Sequence, residues 1–222
     1  MCTPACIDFG IRHLTPDEVR GTRVIEIGSR DVNGSLRPLI MSWGKPAEYV
    51  GVDIVEGPGV DIICTAEDLV DRFGKESFDL VISTEMLEHV RDWRKVVSSM
   101  KNLCRPGGTI LVTTRSIGFP YHGYPYDYWR FQDEDMRNVF GDCRISTIEN
   151  DPLAPGVFLK ARKTGNFREN DLSAYCLYSI VARKKVRDLS ERELRTFRLR
   201  YRVVNENVNR LKKLVKMLLR RA

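Results

Sequence analysis

The sequence predicts an α/β protein built on a doubly wound, mostly parallel sheet. Three observations carry the prediction. Val24-Ile-Glu-Ile27, Phe78-Asp-Leu-Val-Ile82 and Thr109-Ile-Leu-Val-Thr-Thr114 are short, apolar-rich runs, as expected of strands covered on both faces. Stretches with helix start and stop signals lie between them, the alternation that yields parallel strands with crossover helices. With 222 residues, 42% hydrophobic and 30% charged, the chain can bury one full core with room for an appendage.

Taken in order, residues 1–21 form an N-terminal segment. Within it Thr15-Pro-Asp-Glu18 has the pattern of a capping box with proline in the first turn. The first strand ends at Gly28, followed by the turn residues Asn33-Gly34, with Asn33 or Ser35 placed to cap a helix from Leu36 to Trp43. Tyr49–Val55 is a second strand and Val60–Cys64 a short third, with a helix from Thr65 through Arg72. Phe78–Ile82 is the fourth strand. A helix is predicted to start at Met86-Leu87 and to continue over Trp93–Leu103, until Arg105-Pro-Gly-Gly108 stops it before the fifth strand. Residues 118–131 are rich in Tyr, Trp, Pro and Gly and have neither helical nor strand period. A helix at Gln132–Phe140, a strand at Cys143–Glu149, a rigid loop at Asp151–Gly156, a short extended piece at Val157–Lys163 and a last strand at Ala174–Lys185 complete the domain.

Charge is unevenly spread. Residues 187–222 hold twelve Lys/Arg against four Asp/Glu, a balance of +8, while the whole chain carries +6. Ser190-x-x-Glu193 is a second capping box. Apolar residues then recur in steps of three and four from Leu194 to Leu218, which predicts an amphipathic C-terminal helix over residues 190–222. An acidic partner helix, a homodimer, an anionic membrane surface at Lys212, Lys213, Lys216, Arg220 and Arg221, or packing on the chain's own domain would each suit it. No nucleic-acid module is present by motif, so nucleic acid is not the expected partner. The six cysteines are scattered and show no zinc-site spacing, so no metal is expected. Cys64, Cys104, Cys143 and Cys176 have apolar sequence neighbours and are predicted to be core thiols. No signal-peptide pattern or spanning apolar run occurs, and the expected location is cytoplasmic, with peripheral attachment to a membrane through the tail as the alternative.

The strand–turn–helix at Glu26-Ile-Gly28 raises dinucleotide binding first. Started at Gly28, the G-x-G-x-x-G pattern meets Arg30 and Asn33 where it needs glycines, so a pyrophosphate loop is disfavoured. Asp53 lies 25 residues past Gly28 at a strand end, placed to accept the ribose hydroxyls of a nucleoside. Glu26-x-Gly28 resembles motif I of the class I S-adenosylmethionine (SAM) methyltransferases, a family with further glycines where this chain has Arg30 and Val32. Phe78-Asp-Leu-Val followed by Leu87-Glu-His-Val90 resembles motif IV of the small-molecule members, and Arg105-Pro-Gly-Gly108 before a strand is similar to that family again. The resemblance covers roughly Val24 to Thr114.

It implies a Rossmann-like, doubly wound sheet of seven strands spanning residues 22–186, with the last strand, read as Ala174–Lys185, inserted antiparallel. It also implies SAM as cofactor, held by Glu26, Gly28 and Ser29 at the first turn and by Asp53 at the ribose. Ala66 and Glu67 would lie near the adenine, where Thr65 replaces a frequent Asp, and Ser83 and Thr84 at the methyl end. The aromatic segment, about 116–131, is a substrate lid on the rim after the fifth strand. Trp129 and Phe131 are predicted to pack, while Tyr121, Tyr126 and Arg130 contact the acceptor. His122 and Asp127 are the first candidates for a general base and His89 the next, although a histidine in that setting is commonly structural. Residues 151–173 read as an insertion whose Lys160, Arg162 and Lys163 contact an anion or are merely solvated. The expected activity is O-methylation of a sugar, glycan precursor or other small acceptor. The alternative is a catalytically inactive relative serving as an assembly subunit through its C-terminal helix.

Overall fold

The computed structural model describes residues 2–123 and 125–204. Seven strands form the main sheet: β1 (Arg23–Ile27), β2 (Glu48–Asp53), β3 (Ile62–Ile63), β4 (Phe78–Thr84), β5 (Cys104–Arg115), β7 (Arg144–Asn150) and β8 (Gly156–Arg162). Their order is β3-β2-β1-β4-β5-β8-β7. Strands β1 to β5 are parallel, and β8 runs antiparallel to both β5 and β7. The order reverses between β1 and β4, the switch point at which such sheets leave a crevice beyond their carboxyl ends.

Side-chain alternation explains why both faces are apolar. Val24, Leu80, Ile82, Leu111 and Phe158 face one layer, packed with Cys6 and Phe9 of α1 (Pro4–His13), Val19 of α2 (Pro16–Val19) and Leu36 and Ile40 at α3 (Arg37–Leu39). Ile25, Ile27 and Val81 face the other, with Leu69 of α4 (Leu69–Phe73), Trp93, Val96, Val97 and Met100 of α5 (Trp93–Leu103), and Met136 and Val139 of α6 (Asp133–Val139). α1 extends the N-terminal reading. Thr3 caps it, Pro4 opens it, and Gly10 is tight against Leu36, where a Cβ would lie 2.5 Å from a leucine methyl. The capping box at Thr15 forms, with Glu18 N donating to Thr15 Oγ1 and Thr15 N to Glu18 Oε2.

Three local expectations change. No helix begins at Met86: Glu85 takes φ +53° and only a 3-10 turn, Leu87–His89, follows before Asp92 caps α5. The antiparallel strand inserted in the sheet is Gly156–Arg162, inside the stretch read as an insertion, and not Ala174–Lys185. Its Val157, Leu159 and Ala161 are buried in the core between β5 and β7. The later segment instead makes a hairpin of β9 (Leu177–Ser179) and β10 (Lys184–Val186), which pairs with β6 (Trp129–Arg130) of the lid in a second, three-stranded sheet. Lys160 and Arg162 therefore sit on a sheet strand, and Lys163 follows its end. Lys160 binds Glu18 and the His13 carbonyl, Arg162 the Gly107 carbonyl, and Lys163 is buried on the Cys104 carbonyl.

All six cysteines are free. Cys104 and Cys143 are buried as predicted, but Cys64 is half-buried and Cys176 exposed, whereas Cys2 and Cys6 of the N-terminal segment are in the core. Residues 191–204 are helical and are called α7; the Ser190–Glu193 capping box starts it. Leu194 is buried, and Phe197 and Tyr201 each lie 4.9 Å, ring to ring, from Tyr121 of the lid. The described part of the heptad thus packs on its own domain; the remainder, from residue 205, lies outside the described residues. Among the described residues no helix is long and apolar enough to cross a membrane.

Candidate active site

The carboxyl ends of β1, β2, β4 and β5 meet at the switch crevice. At β1, Gly28 holds φ +80°, and a Cβ there would lie 2.6 Å from Met86 Cγ in the loop after β4. Gly28 is therefore needed twice, for its left-handed backbone and for the close approach of the two loops. Gly28→Ala is expected to cost about 1–2 kcal/mol from backbone strain alone, read by urea denaturation. Ser29 is buried against Gly51, with its hydroxyl lacking a partner among the described residues. Ser83, at the end of β4, is likewise buried with an unpartnered hydroxyl. Asp53 closes the β2 side. Its carboxylate accepts N–H groups of Arg30 (3.3 Å) and Val55 (3.1 Å), so it faces the β1 loop. Exposed Ile54 and Val55 follow β2, and exposed Ile63 is the last residue of β3.

Glu26 lies below Gly28, 2% exposed, accepting a 2.7 Å hydrogen bond from the Tyr49 hydroxyl. Burial pushes its carboxyl up to about 7 against the opposing pull of that hydrogen bond. The folded protein then keeps a proton that the unfolded chain releases above its ordinary value of 4.5. Glu26 thus favours folding at acid pH, and this contribution, of order 3 kcal/mol, is lost as pH rises through about 7. Glu26→Gln is expected to flatten that slope, checked by denaturant unfolding at about pH 5 and about pH 8.

On the other side of the crevice, the 3-10 turn after β4 meets the lid. Glu88 is fully buried; its Oε2 accepts from the Thr114 hydroxyl at 2.9 Å, and its Oε1 lies 3.8 Å from Nε2 of both His89 and His122. His89 Nδ1 contacts the Tyr126 carbonyl, and His122 Nδ1 lies 3.0 Å from Asp127 Oδ2, obliquely aligned. Burial would raise the Asp127 carboxyl, but hydrogen bonds from Arg130 and His122 outweigh it and hold the group well below the usual carboxylate range. A second buried group lies beside this one: Arg115 is shared between Glu85 and Asp151, and burial with the nearby Glu88 charge pushes Glu85 up.

A family model described as a methyltransferase domain matches residues 5–142. The chain belongs to this family, among the class I SAM-dependent methyltransferases. Curated relatives include a ubiquinone biosynthesis O-methyltransferase of Rhizobium etli (strain CIAT 652), 32% identical over 124 residues, which are 50% of this chain and 48% of the relative. The chain spans about half the length of the curated relatives it matches. Similar solved structures include 1,6-didemethyltoxoflavin-N1-methyltransferase of Burkholderia thailandensis (TM-score 0.57, 17% identity, 72% of this chain and 77% of that one). Geranyl diphosphate C-methyltransferase of Streptomyces coelicolor A3(2) is comparable (TM-score 0.55, 13% identity, 72% and 77%). At these identities the two establish the fold.

The crevice of this chain suits SAM on its own geometry. Two buried serine hydroxyls without partners among the described residues, Ser29 and Ser83, lie at the ends of the strands that bound it, and the Asp53 oxygens retain lone pairs for ribose hydroxyls. The sequence placed Glu26, Gly28, Ser29, Asp53, Ser83 and Thr84 at this edge, and the fold brings them there. Ala66 is buried, and Glu67 half-buried, in the turn between β3 and α4. His89 and His122 come together with Glu88, which sequence reasoning did not single out. Tyr126 is 55% exposed on the lid, and Tyr121 packs on α7.

Two roles expected of the lid are corrected. Arg130 is 1% exposed, and its guanidinium donates to Asp127 and to the carbonyls of Phe119, Pro120 and Trp129. With its donors consumed inside the lid, it organises the lid and does not contact an acceptor. Asp127, bound in the same ion pair and beside His122 Nδ1, is held in its weakly basic ionised form, against its expected role as a base. Trp129 and Phe131 are fully buried, as their packing role required.

Proposed function

We propose that this chain transfers a methyl group from SAM to a hydroxyl of a small acceptor: a sugar, a glycan precursor or another compact hydroxyl compound. The observation that carries the reading is the convergence of Glu88, His89 and His122 on one point between β4 and the lid. A hydroxyl keeps its proton at neutral pH, so transfer to oxygen calls for groups that receive it. The relatives named O-methyltransferases, matched over about half of their length, support oxygen over nitrogen or carbon. SAM supplies a methyl group activated on a sulfonium. The acceptor oxygen attacks the methyl carbon, the carbon–sulfur bond breaks with its electron pair kept on sulfur, and the hydroxyl proton leaves by way of the Glu88, His89 and His122 cluster.

The protein's own contribution is alignment. Glu26, Gly28, Ser29 and Asp53 hold the donor side, with the turn at Ala66 and Glu67 near the adenine, and Ser83 and Thr84 border the transfer point. Phe119 and Tyr126 wall the acceptor and exclude water. Such positioning supplies up to about 7–11 kcal/mol. Aromatic walls also suit the apolar faces of sugars. Residues 205–222, rich in Lys and Arg, are proposed to meet an acidic helix, a second copy of the chain or an anionic membrane surface.

The test is incubation of the purified chain with methyl-labelled SAM and a panel of hydroxylated and amino acceptors, followed by mass spectrometry. One methyl gained on oxygen per S-adenosylhomocysteine released is expected. A folded, SAM-binding protein that methylates only amines or carbon would overturn the reading.

A further inference from the structure

We propose that a cavity between the β9–β10 hairpin and α7 seats the phosphate head group of an anionic membrane lipid, with α7 lying along the bilayer surface. The inference stands apart from the methyl-transfer reading and does not depend on residues 205–222. The cavity has a volume of about 500 Å³. One wall is the turn Val181–Lys184, and the other is the face of α7 that carries Arg192, Thr196 and Arg200; Phe197 and Tyr201 add aromatic lining.

Both walls are fixed by local structure. The Ser179 hydroxyl is buried, donates to the Tyr128 carbonyl at 2.8 Å, and accepts the N–H groups of Val181 (3.2 Å) and Ala182 (3.3 Å). Arg183 N donates to the Ser179 carbonyl at 2.7 Å, and Arg183 holds φ +56°. These bonds reverse the chain tightly, and Arg183 and Lys184 both line the cavity. Across from them, Arg192, Thr196 and Arg200 stand four residues apart, on one face of the helix.

Charge is the first argument. Arg183, Lys184, Arg192 and Arg200 are exposed, and none makes an ion pair among the described residues. The one carboxylate of the lining, Glu193, is engaged by Ser190 as the helix cap. Residues 181–204 hold nine Lys/Arg against three Asp/Glu, a balance of +6. Four like charges around one cavity repel one another, and an anion seated among them relieves that repulsion. Guanidinium groups match phosphate oxygens in paired hydrogen bonds.

Exposed apolar surface is the second argument, and it selects a lipid over a soluble phosphate. Leu199 is 65% exposed, and Val203 and Val204 are exposed as well. Exposed Arg195 and Arg202 lie four residues before and three after Leu199, beside it on the helix. A soluble phosphate would meet the cations and leave these side chains in water. A bilayer surface covers both, and cations flanking exposed leucine and valine are the pattern of a helix lying in the membrane interface. Phe197 and Tyr201 line the cavity and also pack on Tyr121, so the lid is held next to the proposed membrane face.

The test is sedimentation of the full chain with vesicles of equimolar phosphatidylglycerol and phosphatidylcholine, or of phosphatidylcholine alone. Binding is expected to the anionic vesicles and to fall as salt is raised. The variant Arg183→Asn/Lys184→Gln/Arg192→Gln/Arg200→Gln should lower the partition coefficient at least about tenfold. Its four sites are exposed, and circular dichroism checks its folding. Lys212→Gln/Lys213→Gln/Lys216→Gln/Arg220→Gln, which removes the same charge outside the cavity, should lose less. Leu199→Gln/Val203→Gln, which removes no charge, should also weaken binding, by about tenfold. No recruitment of the folded wild type to anionic vesicles would overturn the inference. So would a cavity variant that loses no more than the variant at residues 212–220, or an apolar variant that binds like wild type. Calorimetric binding of glycerol 3-phosphate, or retention by single-stranded RNA, without vesicle binding would give the cavity to a soluble phosphate or to nucleic acid and overturn it equally.

Discussion

Arg130→Met is expected to destabilise the protein by about 3–5 kcal/mol, because it leaves the buried Asp127 carboxylate without its cation. Arg130 Nη1 and Nη2 lie 2.6 and 2.9 Å from the two Asp127 oxygens, both side chains being almost wholly inaccessible to water. The same guanidinium ties Phe119, Pro120 and Trp129 together through their carbonyls, so the loss is also one of lid geometry. Removing both charges is less harmful than removing one. Asp127→Asn/Arg130→Met is expected to be more stable than Arg130→Met alone, a coupling that denaturant unfolding of the three variants measures directly. The pH dependence has a definite sign. The Asp127 carboxyl is held below its ordinary value, so its contribution to stability is full above about pH 4 and is lost as the solution is made more acid. Arg130→Met should remove most of that acid sensitivity. Equal stability of Arg130→Met and wild type would mean that the ion pair does not organise the lid.

His122→Ala is expected to lower kcat/KM for the acceptor by about 10²–10⁴-fold while leaving SAM affinity nearly unchanged. His122 lies with Glu88 and His89 at the turn after β4, on the side proposed to receive the acceptor. Loss of proton handling should appear mainly in kcat, since alanine retains the lid's ion pair and its packing on α7. His122→Asn, which keeps a polar group but cannot accept a proton, should be nearly as slow. A variant with wild-type kcat and raised KM would assign His122 to acceptor binding alone.

The strand-end residues of the proposed donor half were placed correctly from the sequence, because local pattern is informative at strand ends. An apolar run stopping at Gly28, an aspartate closing the next strand, and Phe-Asp-Leu-Val leading into Ser83 and Thr84 each mark a place on one edge of a parallel sheet. The proposed acceptor half depends on pairings that no local period encodes. Glu88 reads as an ordinary position beside His89 until the lid folds back and adds His122. Arg130 reads as an exposed, ligand-seeking cation until Asp127, three residues earlier, is seen buried with it. The assignment of the antiparallel strand failed for the same reason. Val157-Phe-Leu and Cys176-Leu-Tyr are comparable short apolar runs, and only pairing with β5 decides which enters the main sheet. α1 carried a local signal, Thr3-Pro4 followed by apolar Ala5, Cys6 and Phe9, that the second capping sequence at Thr15 obscured.

Isothermal calorimetry of SAM against the full chain and Asp53→Ala is the most direct test of the switch-point crevice as the donor site. One molecule should bind per wild-type chain, with affinity reduced at least about tenfold in Asp53→Ala, the equivalent of about 1.4 kcal/mol for lost charged hydrogen bonds. A folded wild-type protein that binds no SAM, or an Asp53→Ala variant that binds it equally well, would contradict that placement.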